Sequence, residues 1–365
     1  MTDEVSGRNG SGIPRARAAG GRSARPVPSP DTSRRGLLAV TAAAGLGVLT
    51  GCGGTPSRAD PAPEASPPGG SRSSPSAGTG SPSPSGSATA RHPAPPARRR
   101  RPELPRGGRE LFPRYRLVGF CGLPGAPALG RLGTGAPGQR AAEVEKVAHR
   151  YAAGREPLPV LELLATVANA SAGPDGTYRS RTPAATIRRF HRVARDRRAL
   201  LLLNIQPGRA PVLDEVKALR DWLVHPDVGI ALDPEWEMAR GQVPGDTYGR
   251  TDGHELTEVA RYLSGLVEAH DLPQKPLVFH QVATSVVHAQ SALRPQPGVA
   301  LIKSADGIGS PGLKRGTWQR LVHDLPDGLH TGFKLFYEED ARGSRLMTPE
   351  EVLALRPQPE YVMYE

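Results

Sequence analysis

The chain holds little that could cross-link it, and its cations are lopsided. Two cysteines, Cys52 and Cys121, in 365 residues exclude a disulfide framework. Lysine is scarce, six against 41 arginines, an imbalance that reads as coding bias rather than selection for guanidinium forks. No apolar run reaches the roughly 20 residues that a bilayer span needs. No HxH or HExxH spacing marks a metal site, and no glycine-rich dinucleotide turn follows the first candidate strand. No metal or cofactor is expected.

What is present divides the chain in two. Residues 1–116 are rich in Pro, Gly, Ser and Arg and carry 18 Lys+Arg against 7 acids, a net of +11; residues 117–365 carry 29 of each. The basic character belongs to the tail. The globular part has no net charge with which to attract nucleic acid, and no nucleic-acid partner is expected. The division predicts a signal segment over 1–51, a linker over 52–111 and one folded domain over 112–365.

Ser33-Arg34-Arg35-Gly36-Leu37-Leu38 precedes an uncharged stretch, 37–50, of apolar and small residues, and Leu49-Thr50-Gly51-Cys52 follows. The stretch has the length of a signal-peptide core and is too short to cross a bilayer. The first motif, with Arg34 and Arg35, resembles the twin-arginine export signal, and the last resembles the lipobox of bacterial lipoproteins. The resemblance implies cleavage before Cys52, lipid on Cys52 (palmitate among its acyl chains) and an exported protein held at the outer face of the cytoplasmic membrane. Residues 53–110 are low in complexity and cannot bury enough apolar surface to offset chain entropy. They read as a spacer with a typical span of roughly 40 Å. Its run Arg98, Arg99, Arg100 and Arg101 is a candidate contact for anionic lipid or wall polymer, or else a solvated charge run.

In the remainder, short apolar runs at 117–122, 160–168, 200–206, 228–235, 276–281, 299–305, 331–337 and 360–364 alternate with helical patterns near 139–153, 184–198, 211–224, 254–270, 284–293 and 313–325. Thr182-Pro183 and Thr348-Pro349-Glu350-Glu351 read as helix starts. Eight such alternations in about 250 residues predict an α/β fold of one (β/α)8 barrel; an open doubly wound sheet is the alternative. Connections leading into strands are short, whereas those leaving them at 123–138, 169–181 and 236–253 are long. In barrels the loops after strands carry function.

The fourth run ends Leu232-Asp233-Pro234-Glu235. Strand alternation would put Asp233 and Glu235 on one face, roughly 6.5–7 Å apart at Cα, and like charges that close raise one carboxyl pKa. A surface pair at a strand end is the bland alternative. The seventh run ends Tyr337-Glu338-Glu339-Asp340, placing Glu338 across the barrel mouth, where a second carboxylate would suit a retaining glycosidase; three consecutive acids are as readily a solvated loop. Asn204 and Gln206 share a face of the third run, His280 and Gln281 end the fifth, Asp306 follows the sixth and Glu365 the eighth. Gln206, Asn204, His280, Gln281 and Asp306 are candidate ligand-orienting groups. Trp236 and Tyr337, with Tyr178 and Tyr248, are candidate stacking platforms for sugar rings.

The 228–235 segment is similar to the fourth-strand motif of chitinase-type (family 18) glycoside hydrolases, Asp-Gly-x-Asp-x-Asp-x-Glu. Gly229, Asp233 and Glu235 match; Val228 and Ala231 replace two acids, and Pro234 stands where an aromatic is usual. The resemblance implies a glycosidase-like barrel with Glu235 as proton donor and Asp233 as its electrostatic partner. Three functions are thus expected in order: a glycosidase acting on an envelope or environmental glycan, a non-catalytic or degenerate carbohydrate-binding barrel, and a metal-dependent hydrolase using Asp233, Glu235, His280 and Asp306.

Overall fold

The computed structural model describes residues 101–365. The expectations for Arg34, Arg35, Cys52 and the spacer up to residue 100 lie outside the described residues.

Eight parallel strands close into a barrel: β1 (Tyr115–Gly122), β2 (Glu156–Ala168), β3 (Leu200–Ile205), β4 (Val228–Leu232), β5 (Lys275–Gln281), β6 (Val299–Ala305), β7 (His330–Leu335) and β8 (Tyr361–Tyr364). Each pairs with the next, and β1 pairs with both β2 and β8, which shuts the cylinder. Helices alternate with the strands, so the chain is the (β/α)8 barrel that its periodicity predicts. The strands are near-continuous apolar runs because both faces are buried, one in the interior and one under helices. β2 also carries a short antiparallel strand, Arg179–Arg181, on its upper end.

The helices are α1 (Pro137–His149), α2 (Ala184–Asp196), α3 (Val212–Ala218), α4 (Arg220–Leu223), α5 (Gly253–Ala269), α6 (Pro311–Val322) and α7 (Pro349–Leu353). α5 starts where the Asp252 carboxylate accepts the amides of His254 and Glu255 at 2.8 and 3.0 Å. It buries Leu256, Val259, Leu263 and Leu266. α7 starts on the Thr348–Glu351 capping box. Three expectations are corrected. Thr182 does not cap α2: its hydroxyl donates to the Leu164 carbonyl at 2.6 Å, and Pro183 precedes the first turn. The 211–224 pattern breaks into α3 and α4. No α-helix forms at 284–293, where the chain makes two 3₁₀ turns, Thr284–Val286 and Gln290–Ala292, around a two-residue strand, Val287–His288.

The folded part also begins before residue 112. Leu104 and Leu111 are buried under the barrel floor. Arg106 donates to the carbonyls of Pro157 and Arg198, and Arg109 to those of Asp271 and Leu272. These residues therefore strap the N-terminal ends of β2, β3 and β5. Arg101, assigned from composition to a solvated or lipid-facing run, is ion-paired with Asp271. Above the strap the lower interior is apolar, built from Leu117, Leu158, Val160, Leu200, Leu202 and Ile302. The larger apolar layer lies between strands and helices. Among the described residues no helix is long and apolar enough to cross a membrane.

Candidate active site

The upper interior reverses the character of the lower. One step above Leu158 and Val160 on β2, the inward position is Glu162, and its neighbours on the other strands are polar as well. Glu162 Oε1 lies 3.0 Å from both His280 Nε2 and Asn204 Nδ2, and its other oxygen accepts the Tyr361 hydroxyl. His280 Nδ1 lies 2.9 Å from Asp306, whose second oxygen accepts the Ser304 hydroxyl at 2.8 Å. Lys334 bridges Asp306 at 3.3 Å and Glu365 at 2.6 Å, and the Cys121 thiol lies 3.5 Å from Glu365. The chain thus threads a polar, charged ring through seven strands, all but β4, at the C-terminal end of the barrel.

The protonation states follow from the contacts. Burial alone would keep His280 neutral, but Asp306 and Glu162 on either side hold its pKa well above the ordinary imidazole value. Burial would likewise protonate Glu162, yet His280, Lys334 and the Tyr361 hydroxyl keep it below the usual carboxylate range; Asp306 is held down in the same way by His280 and Lys334. Lys334 stays charged against its burial because Glu365 and the other acids face it.

Asp233 is the exception. Its two oxygens accept only neutral amide donors, Asn204 Nδ2 and Gln206 Nε2, each at 3.2 Å. Burial raises its pKa; His280 and Lys334 oppose the rise, and Glu162 and Asp306 reinforce it. It is the acid of the ring that is driven toward its protonated form. It also reaches solvent: Asp233 is 5 % exposed and Gln206 8 %, whereas Glu162 and His280 are fully enclosed.

The other sequence candidates separate. β4 ends at Leu232, and Pro234–Trp236 is a 3₁₀ turn, so strand alternation does not carry through to Glu235. Glu235 is buried all the same, and its carbonyl accepts the Gly249 amide at 2.7 Å, pinning the following loop. After burial, the largest charge effects on Asp233 come from His280 and Lys334, which lower its pKa, and from Glu162 and Asp306, which raise it. β7 ends at Leu335, and Glu338 lies exposed in the next turn. The acid brought inward from the last strands is Glu365. Of the other two acids of that run, Asp340 is buried and paired with Lys314 at 2.9 Å, a packing role.

Gln281 faces away from the ring and donates to the Ala283 carbonyl at 3.1 Å. Tyr337 stacks on Tyr364 with ring centroids 5.0 Å apart and lies under Arg131; it packs on the outer apolar layer rather than standing free. Tyr178 is covered by Arg209 at 4.0 Å. Tyr248 packs against the outer apolar layer, and Trp236 is half-buried beside the mouth. The four-residue metal set does not assemble: both ring nitrogens of His280 face carboxylates. Among the described residues no three His, Cys, Asp or Glu side chains converge on a metal position.

Composition and periodicity passed over Glu162, Ser304 and Tyr361. The usable signal was a single acid inside the otherwise apolar run 158–165, since a charge in a parallel strand buried on both faces needs partners. Fold and rim together define a (β/α)8 barrel with a polar, internally paired mouth. No family model matches the chain, and no curated protein does.

Proposed function

We propose that the protein is an exported lipoprotein, tethered through Cys52, whose barrel hydrolyses a glycan of the cell envelope or its surroundings by acid–base chemistry at the end of β4. The observation that carries the reading is Asp233: a carboxyl with a raised pKa, at the C-terminal mouth of the barrel, steadied by two amides and bordered by ionised carboxylates. A glycosidase needs one carboxyl able to deliver a proton and a second that stays ionised. Asp233 fits the first role, with Gln206 and Asn204 fixing it, and Glu235 is a further carboxyl where the chain leaves the strand. Glu365, turned inward and ion-paired with Lys334, is a better candidate for the second carboxyl than the exposed Glu338.

The test is release of reducing ends from peptidoglycan, chito-oligosaccharides and β-glucans by the full chain. Asp233→Asn should lose at least about 100-fold in turnover on whichever of these is cleaved, the order of a proton donor's contribution, with an unchanged melting profile. Glu235→Gln tests the role implied by the chitinase resemblance, and Glu338→Gln should be nearly silent. Full activity in Asp233→Asn rejects the reading. Cys52→Ala should give unprocessed or shed protein on membrane fractionation, and Lys at positions 34 and 35 should block export; wild-type behaviour in either removes the corresponding step.

One observation favours a second reading, a non-catalytic carbohydrate-binding barrel. Glu162, His280 and Asp306 are hydrogen-bonded to neighbouring side chains of the ring and are almost wholly enclosed, which suits a fixed scaffold as well as a reacting centre. Glycan binding without cleavage by the wild-type chain would decide for it.

A further inference from the structure

Between β5 and β6 the missing α-helix leaves the outer wall of the barrel partly uncovered. An open groove of about 520 Å³ lies there. Lys303, Thr284, Ser291 and Arg320 form its polar side and Leu321 and Pro326 its apolar side, with Asp324 exposed at the rim. Lys303 sits on β6 between the outward-facing Leu301 and Ala305, so the groove is separated from the mouth by the barrel wall.

The lysines of this chain make Lys303 conspicuous. In a protein that uses arginine almost everywhere, four of the six lysines, Lys275, Lys303, Lys314 and Lys334, are buried. A lysine offers a compact charge and three donors on a flexible stem, and three of the four each hold at least two acceptors. Lys275 donates to the carbonyls of His225 and Val228 at 2.8 and 2.7 Å. Lys314 pairs with Asp340 and donates to the Gly307 carbonyl. Lys334 holds Asp306 and Glu365. Lys303, only 2 % exposed, donates to one neutral acceptor, Gln290 Oε1 at 2.7 Å, and the carboxylate that lines the groove, Asp324, is exposed and paired with His323. Burial alone lowers its pKa to about 8, so at neutral pH it remains largely an uncompensated cation beside open space.

We propose that this groove binds a small organic oxyanion, a carboxylate or phosphate monoester on a short apolar body. The oxyanion takes the remaining Lys303 donors, with Arg320 and the hydroxyls of Thr284 and Ser291 around it, and the apolar body lies on Leu321 and Pro326. Binding restores the charge partner that burial withholds, so it is coupled to protonation of Lys303.

The test titrates the full chain with hexanoate, hexyl phosphate and hexylamine by ligand-observed NMR, at pH 7 and at pH 9.5. At least one anion should bind, with affinity reduced tenfold or more in Lys303→Met and reduced again at the higher pH as the amine loses its charge. The tighter of the two anions identifies the headgroup. Arg320→Ala, at an exposed position, should give a smaller loss without touching the fold, and it decides the matter together with the pH profile if Lys303→Met does not fold. Failure of both anions to bind the wild type, equal binding of hexylamine, or anion binding unchanged by Lys303→Met would overturn the proposal.

Discussion

The lower and upper halves of the barrel interior are built from the same eight strands and obey opposite rules. Below, Leu158, Val160, Leu200 and Leu202 fill the cylinder, and the 101–114 strap seals it. Above, successive inward positions on those strands become Glu162 and Asn204, joined by Asp233, His280, Asp306 and Lys334. Apolar burial contributes roughly 1.5–3 kcal/mol per large side chain, whereas buried ion pairs recover little more than the cost of their own desolvation. The lower half therefore holds the fold together. The upper half places charge where the barrel opens, a use that stability alone does not require.

The sharpest way to break this contrast is to remove one member of the ring. His280→Ala leaves Glu162 and Asp306 buried without their shared cation, and the expected loss is about 3–5 kcal/mol in urea unfolding, the cost of stranding buried charge. The network also predicts a pH optimum. Glu162 and Asp306 have depressed pKa values, so the stability they confer is present above the ordinary carboxylate range and lost as pH falls through it and below. His280 is raised, so its contribution is complete below about 6.5 and lost only as pH rises through its elevated folded value. A His280→Ala protein as stable as wild type at pH 7 would mean that the ring is not energetically closed.

In the lower half, Leu158→Ala should cost about 2–5 kcal/mol through lost burial and a residual cavity. Turnover per folded molecule, on any substrate established for the wild type, should be unchanged. The two halves are separable only if His280→Ala impairs activity in the folded fraction and Leu158→Ala does not. Equal losses would show that the mouth is positioned by the whole interior rather than by its own contacts.

How far each half was legible in the sequence follows from the same physics. Parallel strands buried on both faces read as apolar runs, so all eight were visible, and 299–305 coincides with β6. The bottom strap was not legible: 101–111 has linker composition, and its docking depends on carbonyls at strand starts that no pattern encodes. At the mouth, Asn204, Gln206, Asp233, His280 and Asp306 were visible because each ends a strand. The alternation argument did not reach Glu235 or Glu338, for one reason. Period-two alternation holds only while the backbone is extended, and β4 and β7 end at Leu232 and Leu335, short of the acids in question. Glu162 lay hidden inside its strand, and Tyr361 was read as part of the wall.

The smallest effect is expected just outside the ring, and it carries the opposite pH sign. Glu237 follows the β4 turn and lies against Glu255, whose other contact is the Thr251 hydroxyl at 2.7 Å. Burial, with the hydrogen bond and charge of Glu255, lifts Glu237 to about 9. A carboxyl raised in the fold is protonated there while ionised in the unfolded chain. Folding then takes up a proton, and stability falls as pH rises from about 4.5 to about 9. Glu162 and Asp306, by contrast, lose stability on the acid side. Because Glu237 is partly exposed, the effect should reach only about 1 kcal/mol at pH 8 after screening, or roughly 2–4 °C in melting temperature for a domain of this size. Glu237→Gln keeps the hydrogen bond and removes the titration. Its melting temperature should exceed that of wild type at pH 8, match it near pH 4.5 and leave the acid-side fall intact. A variant whose melting curve tracks wild type across the whole range would place the alkaline sensitivity elsewhere, and His280 would be the next residue to titrate.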